Sequence, residues 1–416
     1  MCSSSLFISN TATNVPSTSK NACLQLRIWS SAMRIERLGV FTFPMPFKTV
    51  IRHASASRRR VSNLIVVAHG RDGQTGYGEG CPREYVTGET VLSSSRFIDQ
   101  YADSLIAQVT DARSLRAWIE AHGSAIDANP AAFCAMETAV LDLLGKTQKQ
   151  SVEDLLEVDR PENQFQYSAV LADWPLPVFW WQHSRYRVRG FQDFKVKLSG
   201  DVRRDRRRLG FFSSRASHRL RLRVDANNLW KSPDECQAHL NSMPVTPFAI
   251  EEPLRSGDLE GCRQIANVLG IKVVLDESLV RARQLESLDD PERWIINLRV
   301  SKMGGVIRSL EVAREAVRRD VGVIVGCHVG ETGILSRAAL TLMQAVGDRL
   351  VAAEGAFGTQ LLRRDLTLPS LRFDWSGRLE LNRVAGMGAS GFGLSLDPRA
   401  ELIPVEHRTA AEREQS

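Results

Sequence analysis

From Met33 onward the chain runs through short extended stretches of apolar and polar residues: MRIERLGVFTF, then SNLIVVAHG, then GYGEG. The β-branched runs flanking Arg71-Asp72-Gly73 predict a hairpin, because an Asp-Gly pair supplies the positive-φ residues of a tight reversal. The period then changes. In NPAAFCAMETAVLDLLGK, Phe133, Met136, Val140, Leu141 and Leu144 recur at helical spacing, and Gly145 is expected to stop the helix. Together these elements predict an α+β domain over residues 33–160.

After Pro161 β-like runs recur about once per βα unit: FQYSAV, DFKVKL, LRLRVDA, FAIEEP, KVVLDE, WIINLRV, VGVIVGC and LVAAEG. Eight strands alternating with helix-compatible segments over residues 161–369 predict an α/β fold, a TIM-like parallel barrel. An open doubly wound sheet has the same period, but no Gly-x-Gly-x-x-Gly follows the first strand. Residues 370–416 are turn-rich, with GRLEL and AGMGASGFGLSLD, and are expected to pack back on the first domain. Residues 1–32 hold Lys20 and Arg27, no acid, and many Ser, Thr and Asn. They predict a disordered extension or a start assigned too far upstream, which would lower the net charge of +6 by two.

Composition narrows the function classes. With 54 Lys and Arg against 48 Asp and Glu, the charge is too balanced for a nucleic-acid wrapper, while small anionic substrates stay compatible. No apolar run approaches the length of a membrane span. Seven scattered cysteines without a Cys-x-x-Cys pair predict a reducing, cytoplasmic setting. The basic run Arg203 to Arg208 is expected to be a solvated helix face.

Working residues of a parallel barrel come from the C-terminal ends of its strands. Three consecutive strands end in acids: LRVDAN in Asp225, FAIEEP in Glu251 and Glu252, and KVVLDE in Asp276 and Glu277. A single acid there would be a cap or a salt bridge. Three in register repel one another unless a cation sits among them, and hard oxygen ligands on rigid strands suit one Mg²⁺, with Mn²⁺ as the alternative. The preceding strand reads Phe194-Lys195-Val196-Lys197, whose alternation puts both lysines on one face. On the barrel interior, mutual repulsion and burial would lower a lysine pKa and let it act as a base. Two exposed edge lysines are the bland alternative.

At these residues the sequence resembles the enolase superfamily, in the branch around muconate lactonizing enzyme, mandelate racemase and the dipeptide epimerases. Gly76-Tyr77-Gly78-Glu79, the Glu137 to Asp142 helix, Lys-x-Lys, Asp-Ala-Asn, Glu-Glu-Pro and Asp-Glu-Ser all stand in family order across residues 33–400. The resemblance implies a (β/α)7β barrel with an N-terminal α+β capping domain, and commonly a homo-oligomer. It implies Mg²⁺ on Asp225, Glu251 and Asp276, with Lys197 as the base. Lys195 would tune that base and steady the substrate carboxylate, and Asn227 would support Asp225. The implied chemistry is removal of the proton next to a carboxylate, with the metal stabilising the resulting enediolate, as this superfamily itself illustrates.

One departure matters. Where the muconate and epimerase branch ends its sixth strand in a second lysine, NLRVSKMGG places Arg299, while Lys302 has the opposite strand parity. An arginine stays charged and can hold an anion but cannot serve as a base. Lys197 alone suffices for elimination or cycloisomerisation of a small carboxylate substrate, which is therefore the expected activity. Racemisation or epimerisation would need a second base, for which His328 in VIVGCHVGET is the candidate; Glu331 of the same loop is expected to contact the site. A non-catalytic ligand-binding barrel is the remaining alternative, and the retained acids and lysines argue against it. Specificity is expected in two capping loops, residues 44–60 with His53, Arg58, Arg59 and Arg60, and residues 78–87.

Overall fold

The computed structural model describes residues 33–53, 56–214, 217, 219–383 and 389–405, with the side chains of 49–58 and 383 outside that description. The expectation of a disordered start falls on residues 1–32, outside the described residues. Strands β1 (Ile35–His53), β2 (Ala56–Gly70) and β3 (Thr75–Gly80) form an antiparallel sheet, and Gly73 turns β2 into β3 at φ +82°. The β1–β2 pairing continues through Met45↔Val61 and Pro46↔Arg60 to His53↔Ala56, with a register shift between Pro46 and Ile51. Among the described residues, 44–53 and 56–60 are thus strand rather than loop, while the side chains of His53 and Arg58 lie outside the described residues. The physical reason is that Phe43, Met45 and Phe47 alternate inward and find a core in Val61, Ile65, Ile334 and Leu362.

Helices α1 (Val91–Gln108), α2 (Ala112–Ala121) and α3 (Gly123–Ala128) lead into α4 (Pro130–Gln148), followed by α5 (Val152–Leu156). The backbone of α4 lies directly on β3: a Cβ at Gly76, Gly78 or Gly80 would come within 2.1 Å of an α4 carbonyl oxygen. That close approach accounts for the alternating glycines of GYGEG. Gly145 does not stop α4; the helix ends at Lys149 in the left-handed region, and Gly145 instead makes room for the backbone of Gly391.

After β4 (Gln164–Gln166), eight parallel strands follow in chain order: β5 (Ala169–Leu171), β6 (Asp193–Lys197), β7 (Arg221–Asp225), β8 (Ala249–Glu251), β9 (Lys272–Leu275), β10 (Trp294–Leu298), β11 (Gly322–Val325) and β12 (Leu350–Ala353). The Ser168 N–H donates to the Ala353 carbonyl at 2.8 Å, linking the first strand's approach to the last strand. The crossovers are α6 (Leu176–Val188), α7 (Val202–Leu209), α8 (Pro233–Asn241), α9 (Leu259–Leu269), the one-turn α10 (Val300–Met303) with α11 (Val306–Arg318), and α12 (Gly333–Val346). Between β9 and β10 the described chain forms only short 3-10 turns. The basic run lies in α7, but it is not wholly solvated, because Arg208 is buried and paired with Asp173.

Strand alternation layers the barrel interior. Ala249, Val274, Ile295, Ile324 and Ala352 form a buried apolar cluster, and two residues further along four of those strands stand Glu251, Asp276, Asn297 and Glu354. A polar layer therefore sits on an apolar floor. Two buried acids dock the first domain onto the barrel, and a third ties it to the tail. Glu79 accepts from the backbone of Thr332 and Leu335 at the start of α12, and Glu137 accepts from Val306 and Ile307 at the start of α11. Asp142 accepts from the Tyr77 and Phe392 backbones.

The remaining strands belong to the tail. β13 (Thr367–Leu368) pairs with β15 (Ser395–Leu396), β14 (Arg378–Glu380) pairs with β4, and β16 (Ile403–Pro404) adds an edge to β1. No helix among the described residues is long and apolar enough to cross a membrane.

Candidate active site

Asp225 ends β7 and pairs in register with Glu251 at the end of β8, while Asp276 follows β9. All three carboxylates are at least 98% buried. On β6, Lys195 and Lys197 share one face and reach the same oxygen: their Nζ atoms lie 3.3 and 3.0 Å from Asp225 Oδ2. Lys195 also donates to Glu251 Oε1 at 2.8 Å and to Glu354 Oε2 at 3.4 Å.

The two lysines are not equivalent. Burial alone would lower the Lys195 pKa, but Glu251, Glu354 and Asp225 outweigh it and raise it, so Lys195 is a fixed cation. The side chain of Lys197 is about one quarter exposed, and beyond Asp225 it donates to Asn227 Oδ1 at 3.1 Å. Asn227 also donates through its backbone N–H to Asp225 Oδ1 at 3.1 Å. Burial opposes ionisation of Asp225, yet Lys197 and Lys195 hold its carboxyl below the usual range.

Arg299 leaves the end of β10 and places its guanidinium against Asp276, with Glu277 at 3.6 Å. Lys302, on α10, approaches Asp276 from within the protein: it donates to Asp276 Oδ1 at 2.6 Å and to the Asn297 carbonyl at 2.9 Å. Burial and Arg299 pull its pKa down to about 7, but its hydrogen bonds hold it beside Asp276.

His328 and Glu331 fall between β11 and α12. Burial, helped by Arg299, Arg83 and Lys302, pushes the His328 pKa well below its ordinary value, so the imidazole is neutral. Neither ring nitrogen has a hydrogen-bond partner among the described residues. Glu331 accepts from the His328 backbone N–H at 2.6 Å, and burial pushes its carboxyl up to about 8.

The three acids fit a divalent cation. They are hard oxygen donors on adjacent strand ends, and Glu251 Oε2 accepts no hydrogen bond among the described residues, although Lys195 Nζ lies 2.7 Å away out of alignment. Sequence reasoning missed Glu354 in this layer and Arg223 one step below it, level with Ala249. Glu354 follows β12 and bonds Arg223 Nη2 at 2.6 Å as well as Lys195; burial opposes its ionisation, but Lys195 and Arg223 bring its pKa down to about 2. The signal was available, since LVAAEG ends in an acid like the three preceding motifs and Arg223 shares the strand parity of Asp225.

Comparison with known proteins identifies the family. Residues 182–400 match the enolase C-terminal domain-like family, and residues 38–157 match the mandelate racemase / muconate lactonizing enzyme N-terminal domain. The chain belongs to the enolase superfamily, in its mandelate racemase and muconate lactonizing enzyme branch. It is 27% identical over 305 residues to the L-Lys-D/L-Arg epimerase of Desulforapulum autotrophicum, covering 73% of this chain and 82% of that one. It is 23% identical over 359 residues to the N-succinyl-L-Arg/Lys racemase of Bacillus cereus, covering 86% and 95%. The crystal structure of the dipeptide epimerase from Methylococcus capsulatus, complexed with Mg and the dipeptide L-Arg-D-Lys, superposes with a TM-score of 0.72 at 25% identity, covering 86% of this chain and all of that one.

Proposed function

We propose that this chain is a Mg²⁺-dependent enzyme that removes the α-proton of a small carboxylate, with Lys197 as the base, and completes an elimination or cycloisomerisation. The observation that carries the proposal is the strand-end layer: three buried acids, with two lysines meeting on one Asp225 oxygen at 3.3 and 3.0 Å. Asp225, Glu251 and Asp276 would hold the metal, which supplies the Lewis acid that offsets charge growing on the substrate carboxylate.

The division of labour follows from exposure. Lys195 is enclosed by Glu251, Glu354 and Asp225, stays protonated, and keeps a positive charge beside the acids. Lys197 is the lysine that solvent and substrate can reach. Arg299 puts a permanent cation where a second base would stand, so no group at this position returns a proton to the opposite face once Lys197 has taken one. The abstraction therefore ends in expulsion of a β-leaving group, as a separate molecule in elimination or as a still-tethered carboxylate in cycloisomerisation, whose reverse closes the ring and returns the proton from Lys197.

A second reading, epimerisation with His328 as the partner base, is favoured by the activities of the related proteins and by the neutral state of that imidazole. Deuterium exchange separates the two. The enzyme is incubated with Mg²⁺ in D₂O and a library of dipeptides, N-acyl amino acids, sugar acids and muconates. One-base chemistry gives a dehydrated or cyclised product. Recovered acid carrying deuterium with inverted configuration would replace that proposal with epimerisation, and Mg²⁺ binding with no exchange anywhere in the library would defeat both.

A further inference from the structure

Cys81, His328 and Glu331 converge where the capping domain meets the barrel, and the carboxylate layer does not account for them. Cys81 follows β3 and donates its backbone N–H to Ser301 Oγ of α10 at 2.8 Å. Its Sγ, a His328 ring nitrogen and a Glu331 carboxylate oxygen all lie within 4.8 Å of one another. The His328 Nδ1 atom is 3.5 Å from Glu331 Oε1.

Independently of that convergence, His328 is 2% exposed and both its ring nitrogens lack a hydrogen-bond partner among the described residues. A neutral imidazole carries one donor and one acceptor, and burying both unmet forfeits the hydration of each. The imidazole is thus a buried, neutral group with an unmet lone pair, and one of its ring nitrogens lies within 4.8 Å of a thiol and a carboxyl.

We infer that Cys81, His328 and Glu331 form a second metal site, for a borderline transition ion of the Zn²⁺ type and distinct from the Mg²⁺ carboxylates. The donor chemistry sets the ion. Sulfur, nitrogen and oxygen donors together suit Zn²⁺, with a fourth position left for water, whereas a thiolate does not suit Mg²⁺. Binding releases the Cys81 thiol proton and any proton on the Glu331 carboxyl, so the two anionic ligands offset the ion's charge. Burial raises the Cys81 thiol, while nearby Arg83 works towards the thiolate. Occupancy would tie Cys81 of the capping domain to His328 and Glu331 of the barrel. It would also occupy the imidazole that epimerisation requires as a base.

The inference does not rest on the Lys197 chemistry, and its test reads metal content and a spectrum rather than turnover. Full-length protein is stripped with chelator, saturated with Mg²⁺, and titrated separately with Zn²⁺ and with Co²⁺ as the spectroscopic probe. The expected result is one Zn²⁺ equivalent retained against excess Mg²⁺, and a near-ultraviolet thiolate-to-cobalt band. Cys81→Ser should abolish the band and weaken Zn²⁺ at least tenfold, His328→Gln should weaken Zn²⁺ similarly, and Asp276→Asn should leave both intact. Should Cys81→Ser fail to fold, His328→Gln decides by the same titration. Absence of the band, its persistence in folded Cys81→Ser, unchanged Zn²⁺ affinity in His328→Gln, or loss of the Zn²⁺ equivalent in Asp276→Asn would overturn the site.

Discussion

Replacing Glu354 by Gln tests whether the charged layer is held together from below. The Glu354 carboxylate accepts from Arg223 Nη2 at 2.6 Å and lies 3.4 Å from Lys195 Nζ, all three groups being buried. Burial pushes its pKa up, but Lys195 and Arg223 win and bring it from 4.5 to about 2. Because the folded value lies below the unfolded one, the stabilisation is present above pH 4.5 and is lost as the pH falls through 2. That difference corresponds to about 3 kcal/mol at pH 7, the low end of the roughly 3–5 kcal/mol typical for breaking a buried pair. Glu354→Gln keeps the shape and removes the charge, leaving Arg223 and Lys195 with one carboxylate fewer. Urea unfolding at pH 7 in chelator should show a loss of about 3 kcal/mol. The loss in Arg223→Met plus Glu354→Gln should fall short of the sum of the single losses by about 1–3 kcal/mol. A Glu354→Gln protein within about 0.5 kcal/mol of the parent, or strictly additive losses, would refute the coupling.

Lys197→Ala should abolish α-proton exchange, seen by NMR in D₂O, while calorimetric Mg²⁺ affinity stays within about threefold because Glu251 and Asp276 are untouched. Asp276→Asn should instead weaken Mg²⁺ by about tenfold or more, measured by the same calorimetry, since it removes a charged ligand. His183 packs on Phe194 and Phe212 with ring centroids 5.7 and 4.8 Å away, and burial followed by Arg187 lowers its pKa to about 4. As a base with a depressed pKa it stabilises the fold above pH 6.5 and loses that contribution as the pH falls through 4. His183→Phe should therefore gain about 2 kcal/mol relative to the parent at pH 4 but not at pH 7, in urea midpoints, after allowing for solvent screening at its edge.

What could be read from the sequence is what repeats locally. Eight β-like runs announced the barrel, and strand parity placed Asp225, Glu251, Asp276, Lys195 and Lys197 on its inner rim because alternation is a property of each strand alone. The same parity reaches Arg223 and Glu354, which the local pattern therefore also places on the inner face. Residues 44–60 were different: their hairpin depends on Ile334 and Leu362 supplying a surface for Phe43, Met45 and Phe47, a fact absent from the local pattern. His328 shows the same limit at the site. Its strand-end position suggested a group facing substrate, but its charge state is set by burial, then by Arg299 of another strand and Arg83 of the capping domain, and Cys81 of the capping domain stands beside it. The carboxylates proposed to hold Mg²⁺ all come from one repeating barrel element, whereas every role open to His328 depends on how two domains dock. That docking rests on Glu79 and Glu137 accepting backbone N–H groups at the starts of α12 and α11. Their loss should therefore disturb His328 before it disturbs Asp225, Glu251 or Asp276.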